Sequence, residues 1–191
     1  RRKDGDYLYN LPSVVDDIDM NVTHIIRGED HITNSGIQLE IFNALGANTP
    51  IFGHNSLLVS ENGEPFSKRN VASSIEQIRE QGIEPNALNS LIASIGSSVD
   101  IQIFKSIDDI AKYFEITSLG KAPARYDKNQ LVRLNSQLIS SYSFEEISKI
   151  ISNNTGDFSE EFWDCIKQNI SEISEINIWL KIINEPVNHN L

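Results

Sequence analysis

The chain has 191 residues, a single cysteine and a formal net charge of −11 at pH 7. That length is enough for one or two domains with cores of their own, the lone Cys165 leaves no partner for an internal disulfide or a thiolate zinc cluster, and the bulk acidity opposes indiscriminate binding to nucleic acid. No apolar run is long enough to span a bilayer and no signal peptide opens the chain, so a soluble, cytoplasmic protein is the expectation.

In chain order, Arg1 to Asp6 starts without Met, carries an Asp-Gly turn signal and reads as the middle of a protein. Leu8, Leu11, Val15 and Ile18 recur at helical spacing, with Pro12 tolerable only in a first turn, which predicts a helix ending near Met20–Asn21 with Tyr9 near its start, facing a crevice. Val22 to Ile26 is short and β-branched, as a buried parallel strand should be, and Arg27 follows it. Ile37, Ile41, Ala44 and Leu45 form a helical stripe closed by Gly46, Ile51 to Val59 is a second strand, and Glu61-Asn62-Gly63 is a tight turn that brings Ser67-Lys68-Arg69 back toward the sheet edge.

After Asn70 the pattern changes to short helices. Ser74 with Gln77 fits a capping box, with Gly82 ending that helix; Ala87, Leu88, Leu91, Ile92 and Ile95 make the next stripe, ended by Gly96. Ser106 to Asp109 starts another, burying Ile107, Ile110, Ala111 and Phe114, and Ile101 to Phe104 is the one strand candidate of this region. Asp127 is placed to cap a helix, Ser143 with Glu146 makes a further capping box, and two last helices carry Phe162, Trp163, Ile166 and Ile170, then Ile173, Ile176, Trp179, Leu180 and Ile183. Those aromatic stripes are core, not base-stacking platforms, and Cys165, close to Trp163, reads as core too.

Two stretches carry chemistry. Thr23 to His31 is an apolar strand emerging into an Arg-Gly-Glu-Asp-His loop, and in open α/β sheets ligands bind beyond the carboxyl ends of the strands. Pro65-Phe-Ser-Lys-Arg69 places a hydroxyl and two cations past a turn, a composition that clamps phosphate oxygens. By themselves these residues also fit a surface arginine paired with Glu29 or Asp30 and an ordinary solvated loop. A local basic track, Lys121, Arg125, Lys128 and Arg133 against one acid, Asp127, fits either a tRNA contact or a solvated helix face.

From Arg1 to Arg69 the chain resembles the second half of the catalytic domain of bacterial glutamyl-tRNA synthetases, class I enzymes with a nucleotide-binding fold. The resemblance is carried by Arg2-Lys3-Asp4-Gly5, Tyr9-Asn10-Leu11 leading into Val14-Val15-Asp16-Asp17, Met20, Thr23-His24, Ile26-Arg27-Gly28-Glu29-Asp30-His31, Asn34, Gln38, Ala44-Leu45-Gly46, His54 and Ser67-Lys68-Arg69. It implies the α/β half of a nucleotide-binding, Rossmann-like catalytic domain followed by an all-α helical region. The layout it implies is multi-domain: 1–70 the catalytic half with its signature loop, 71–126 a helical stem-contact region, and 127–191 the start of a helical anticodon-binding bundle.

The implied activity is that of a glutamate-tRNA ligase: ATP-dependent formation of glutamyl-adenylate, then transfer to the 3′ end of tRNA. ATP, Mg2+ travelling with the ATP, L-glutamate and tRNA are the implied partners, with a monomer the family expectation and any zinc bound upstream of Arg1. By the same resemblance Lys68 stabilises charge on the ATP phosphates, Ser67 and Arg69 hold the loop, and Asp30 and His31 lie toward the ATP. Arg27 grips the side-chain carboxylate of glutamate, Tyr9 contacts the same substrate, and Ser13 stands where some members place a substrate-facing Asn. Pro65 and Phe66 depart from the usual Lys-Leu of the signature loop, and the His-Ile-Gly-His signature of class I enzymes does not occur between Arg1 and Leu191. These residues alone are therefore expected not to aminoacylate. A non-catalytic, tRNA-binding or regulatory remnant of such an enzyme is the alternative, and an acidic domain with no site is a third.

Overall fold

The computed structural model describes residues 3, 5–64, 74–151 and 156–184. Helix α1 (Asn10–Asp19), strand β1 (His24–Gly28), α2 (Ile32–Ala44), β2 (Ile51–Asn55) and β3 (Leu58–Ser60) come first. They are followed by α3 (Ile75–Glu80), α4 (Pro85–Ser94), α5 (Ile107–Tyr113), β4 (Ala124–Tyr126), α6 (Lys128–Ser141), α7 (Phe144–Ile150), α8 (Glu160–Ile166) and α9 (Glu175–Asn184). β1 and β2 pair in parallel from His24 opposite Ile51 to Gly28 opposite Asn55, and β3 pairs in parallel with β4 from Leu58 opposite Ala124 to Ser60 opposite Tyr126.

Helix endings orient the first half. α1 admits Pro12 as its third residue, where no N–H is required by the helical ladder. It closes by a Schellman motif in which Asn21 takes a φ of 53°, Asn21 N–H reaches Ile18 O at 3.1 Å and Val22 N–H reaches Asp17 O at 2.9 Å. α2 closes the same way around Gly46, φ 66°, with Ala47 N–H on Phe42 O at 3.1 Å. The two closures line one cleft of about 500 Å³, from Asp17 to Thr23 and from Gly46 to Pro50. The ends of α1 and α2 and the starts of β1 and β2 therefore share one side of the sheet. The opposite side collects the starts of both helices and the ends of both strands.

Several expectations shift, each for a local reason. β1 runs His24–Gly28 rather than Val22–Ile26, because Val22 is spent closing α1, and so Arg27 lies inside the strand. Ile51 to Val59 is broken at Ser56–Leu57 into two strands that join different sheets. Ile101 to Phe104 is not a strand: Ile101 and Ile103 pack on the helical core and Phe104 N–H is met by Ser90 Oγ at 3.0 Å instead of a ladder carbonyl. The strand of that region is β4, whose Ala124 N–H reaches Leu57 O at 2.9 Å. The inward face of α1 is centred on Val14 and that of α2 on Ser35, Gln38 and Phe42, leaving Leu8, Val15, Ile37 and Leu45 exposed. Similarly Ile92, Ile107, Phe114 and Ile183 are exposed, with Ile110 the buried residue of α5.

Among the described residues, one hydrophobic core ties together α3, α4 and α6 to α9. It draws Ile78, Ile83, Ala87 and Leu91 from around α3 and α4 together with Leu131, Leu134, Leu138, Ile139, Ile147, Trp163, Ile166, Ile170 and Ile176. Asp127 caps α6 by accepting from Asn129 N–H at 2.7 Å, and Ser143 with Glu146 forms the full reciprocal box at the start of α7. At α3 only half of the expected box is seen: Ser74 Oγ accepts from Gln77 N–H at 3.2 Å, while Gln77 Oε1 is buried with no partner among the described residues. Cys165 is exposed, not core, since α8 turns Trp163 and Ile166 inward and leaves the residue between them outside.

Candidate functional site

The side of the sheet where β1 and β2 end is where a ligand crevice belongs, and the register puts Arg27 of β1 directly beside His54 of β2. α2 starts just beyond the short helical turn Glu29–His31, so its first exposed turn folds back over the strand ends. At this reversal a Cβ on Gly28 would lie 2.5 Å from Asp30 Oδ1 and 3.2 Å from the Leu57 side chain, both of which would have to shift. Ser35 and Gln38, one helical turn apart, are thereby brought onto Arg27.

The Arg27 guanidinium is held from three directions. Nε donates to Ser35 Oγ at 3.2 Å, and Nη2 donates to Ser35 Oγ at 2.5 Å and to Gln38 Oε1 at 2.7 Å. Its plane also stands 5.4 Å from the centroid of Phe52, the β2 residue two before His54 and hence on the same sheet face. Ser35 Oγ in turn contacts His54 Nε2 at 2.7 Å and His31 O at 3.1 Å. Gln38 is 1% exposed, and its Nε2 meets no acceptor among the described residues. The bland alternative for Arg27 does not hold, because no ion pair joins it to Glu29 or Asp30 among the described residues. Burial raises the Asp17 carboxyl above its ordinary range, and the positive charge of Arg27 pulls it the other way.

Around this centre, His31 contacts Asn34 Nδ2 through Nδ1 at 3.2 Å and approaches Asp30 at 3.9 Å, with both side chains open to solvent. Tyr9, exposed, caps the start of α1 with its backbone, and its carbonyl accepts from Ser13 N–H at 3.1 Å. Tyr9 and Ser13, four residues apart, share a helix face at the end of α1 that lies on the Arg27 side of the sheet. Ser67, Lys68 and Arg69, with Pro65 and Phe66, lie outside the described residues.

The basic track is exposed throughout. Arg125 of β4 donates from Nη1 to Glu61 O at 3.3 Å, and Arg133 stands 3.7 Å from the Asp127 carboxylate. Lys121 and Lys128 have no ion-pair partner among the described residues. Sequence reasoning missed Ser35 and Phe52 altogether and gave Gln38 and His54 no role at the site. The i, i+3 spacing of Ser35 and Gln38 just after an Arg-Gly-Glu-Asp-His loop was the available signal.

β1 thus carries, one residue before its end, an arginine held by a serine and a glutamine of α2 and paired in register with His54 of the parallel strand β2. Residues 1–133 match the family model for tRNA synthetases class I (E and Q), catalytic domain, and the chain belongs to that family. It is 43% identical over 188 residues to glutamate–tRNA ligase 1 of Parvibaculum lavamentivorans, covering 97% of this chain and 42% of that protein. It is 42% identical over 184 residues to the enzyme of the same name from Brucella ovis, covering 95% of this chain and 40% of the relative. The chain thus spans about two-fifths of the length of the curated relatives it matches.

Among solved structures, the glutamate tRNA ligase of Elizabethkingia meningosepticum, determined in complex with its amino acid, superimposes with a TM-score of 0.77 at 24% identity, over 96% of this chain and 42% of that one. Glutamate-tRNA synthetase of Elizabethkingia anophelis gives 0.71 at 25% identity, over 91% and 40%. The expected fold class, part of a Rossmann-like catalytic domain continued by helices, is the fold observed.

Proposed function

We propose that these residues serve a glutamate-tRNA ligase, joining the α-carboxylate of glutamate to AMP with release of pyrophosphate and passing the glutamyl group to the terminal ribose of tRNA. The observation that carries this reading is the anchored Arg27 at the strand ends, in a chain of the class I (E and Q) family. Adenylate formation asks little covalent chemistry of the protein; the work is orientation of the carboxylate and neutralisation of charge at phosphorus. Arg27 takes the side-chain carboxylate of glutamate, with Tyr9 and Ser13 on the facing end of α1. Lys68, as a compact mobile cation, meets the ATP phosphates and their Mg2+, Ser67 and Arg69 hold that loop, and Asp30 and His31 stand toward the nucleoside. The layout proposed is a catalytic half over 1–70, a stem-contact region over 71–126 and the start of an anticodon-binding bundle over 127–191, in a cytoplasmic, monomeric enzyme.

Lys121, Arg125, Lys128 and Arg133 are the proposed tRNA contacts, because they concentrate positive charge locally in an acidic chain. The test is ATP–pyrophosphate exchange by the full-length enzyme with glutamate or glutamine, with and without tRNA. Exchange with glutamate alone, dependent on tRNA and lost in Lys68→Ala, is expected. A folded enzyme that binds tRNA but exchanges with neither amino acid would instead be a non-catalytic tRNA-binding protein.

A further inference from the structure

An arginine carries five N–H donors in a rigid fork. At Arg27 the Nε–H and both Nη2 hydrogens are taken, by Ser35 Oγ twice and Gln38 Oε1 once. That leaves the two hydrogens of Nη1, which no described residue engages. The fork is therefore presented to the crevice by one nitrogen only, and its plane is fixed by a serine, a glutamine and the Phe52 ring 5.4 Å away.

The serine is fixed in turn. Arg27 can only donate, so Ser35 Oγ acts toward it as an acceptor, and its single proton goes to one of two neighbours. His54 Nε2 at 2.7 Å is closer than His31 O at 3.1 Å. Whichever of the two takes the proton, both contacts hold the hydroxyl oxygen in place against Arg27. A chain of contacts runs from β2 through His54 and Ser35 to Arg27, and Gln38 closes it from the next turn of α2.

We propose that Ser35, Gln38 and His54 are positioning residues for amino-acid selection: they commit Nε and Nη2 of Arg27 to the protein and offer Nη1 alone to the substrate. This rests on the reading of Arg27 as the glutamate-binding arginine. An Nη1 held in that orientation offers donors and no acceptor. A carboxylate, acceptor on both oxygens, satisfies it; a carboxamide turns its own NH2 toward a donor whenever its oxygen is not the atom in contact. A guanidinium free to swing could evade that clash, and an anchored one cannot. Discrimination between glutamate and glutamine thus depends on the anchors as well as on the charge.

The test measures tRNA-dependent ATP–pyrophosphate exchange by the full-length enzyme for wild type, Arg27→Ala, Ser35→Ala, Ser35→Thr and Gln38→Glu. Loss of a hydrogen bond to a charged group corresponds to roughly tenfold or more, so Ser35→Ala should raise KM for glutamate by about that factor and narrow the glutamate-over-glutamine ratio, with KM for ATP held at the wild-type value. Ser35→Thr, which keeps the hydroxyl, should restore both. Gln38→Glu keeps the shape but sets a carboxylate against Nη2, neutralises the fork and should weaken glutamate more than Ser35→Ala does. If Arg27→Ala raises KM for glutamate while Ser35→Ala and Gln38→Glu do not, the positioning role is wrong although the function stands. If Ser35→Ala raises KM for ATP as much as for glutamate, or threonine fails to rescue, the residues are merely structural and the inference also fails. If Arg27→Ala leaves KM for glutamate unchanged, the reading of Arg27 beneath the inference is what fails.

Discussion

Replacing Asn135 by leucine should cost this chain a large share of its stability. Asn135 is 0% exposed and meets three backbone groups from two other segments: its Oδ1 accepts from Glu84 N–H at 2.8 Å, and its Nδ2 donates to Gly82 O at 3.2 Å and to Ser171 O at 2.7 Å. Leucine has the same branched outline with bulkier methyl ends, so the change opens no cavity and strands one buried donor and two acceptors. Each unsatisfied buried group costs about 1–3 kcal/mol. Taken near the low end, because carbonyls tolerate partial satisfaction, the three sum to roughly 3–5 kcal/mol. A domain's whole stability is about 5–15 kcal/mol. Urea unfolding of the 191-residue chain, followed through the buried Trp163, reads this directly. With a slope of about 1–3 kcal/mol per molar urea, the midpoint should fall by roughly 2 M. Ser136→Ala, which removes the single bond from Ser136 Oγ to Ile170 O at 2.8 Å, is the control and should cost about 1 kcal/mol. A loss below about 1 kcal/mol in Asn135→Leu would show that these groups are satisfied by water and that the reasoning is wrong.

Other outcomes follow from the same structure. Burial first, and then the negative charges of Glu84 and Glu146, push the Tyr142 hydroxyl up to about 12. Its contribution is whole below the ordinary value near 10 and is lost as pH rises toward 12, because only the unfolded chain ionises freely in that window. The stability difference between wild type and Tyr142→Phe should therefore change by about 2–3 kcal/mol across that window, and a pH-independent difference would contradict the shift. For the basic track, Lys121→Gln with Lys128→Gln should weaken tRNA binding by the full-length enzyme and lower the slope of log Kd against log salt by about 0.7–0.9 per phosphate contact removed. An unchanged slope would mean that these lysines touch no phosphate.

The parts of the fold legible in the sequence were those fixed by local chemistry. Asp127 and Ser143 cap the helices they were expected to cap, a helix begins at Ser106 as expected, and Gly46 and Gly82 take the left-handed backbone expected at helix ends. What was not legible depends on partners distant in the chain. Leu57 supplies the carbonyl that makes Ala124 a strand, and Ser90 supplies the hydroxyl that keeps Phe104 out of one. The helix faces of α1 and α2 were misplaced because periodicity ranks apolar residues, whereas here Ser35 and Gln38 turn inward to serve Arg27. Arg27 was singled out by the β-branched run before it and by the family resemblance, although it lies inside β1 and not beyond it. Its anchors were not, since a serine and a glutamine on a helix look like surface until the register of β1 against β2 brings His54 alongside.

The measurement that bears most directly on the proposed function is charging of tRNA by the full-length enzyme with labelled glutamate and, separately, labelled glutamine, for wild type and Arg27→Ala. Glutamate should be attached in strong preference by the wild type, and Arg27→Ala should lose roughly 10- to 100-fold of kcat/KM for glutamate with much less change for glutamine, as expected when a charged hydrogen-bonding partner is removed. Equal charging of both amino acids by the wild type, or full glutamate charging by Arg27→Ala, would contradict the assignment of this crevice to the glutamate side chain.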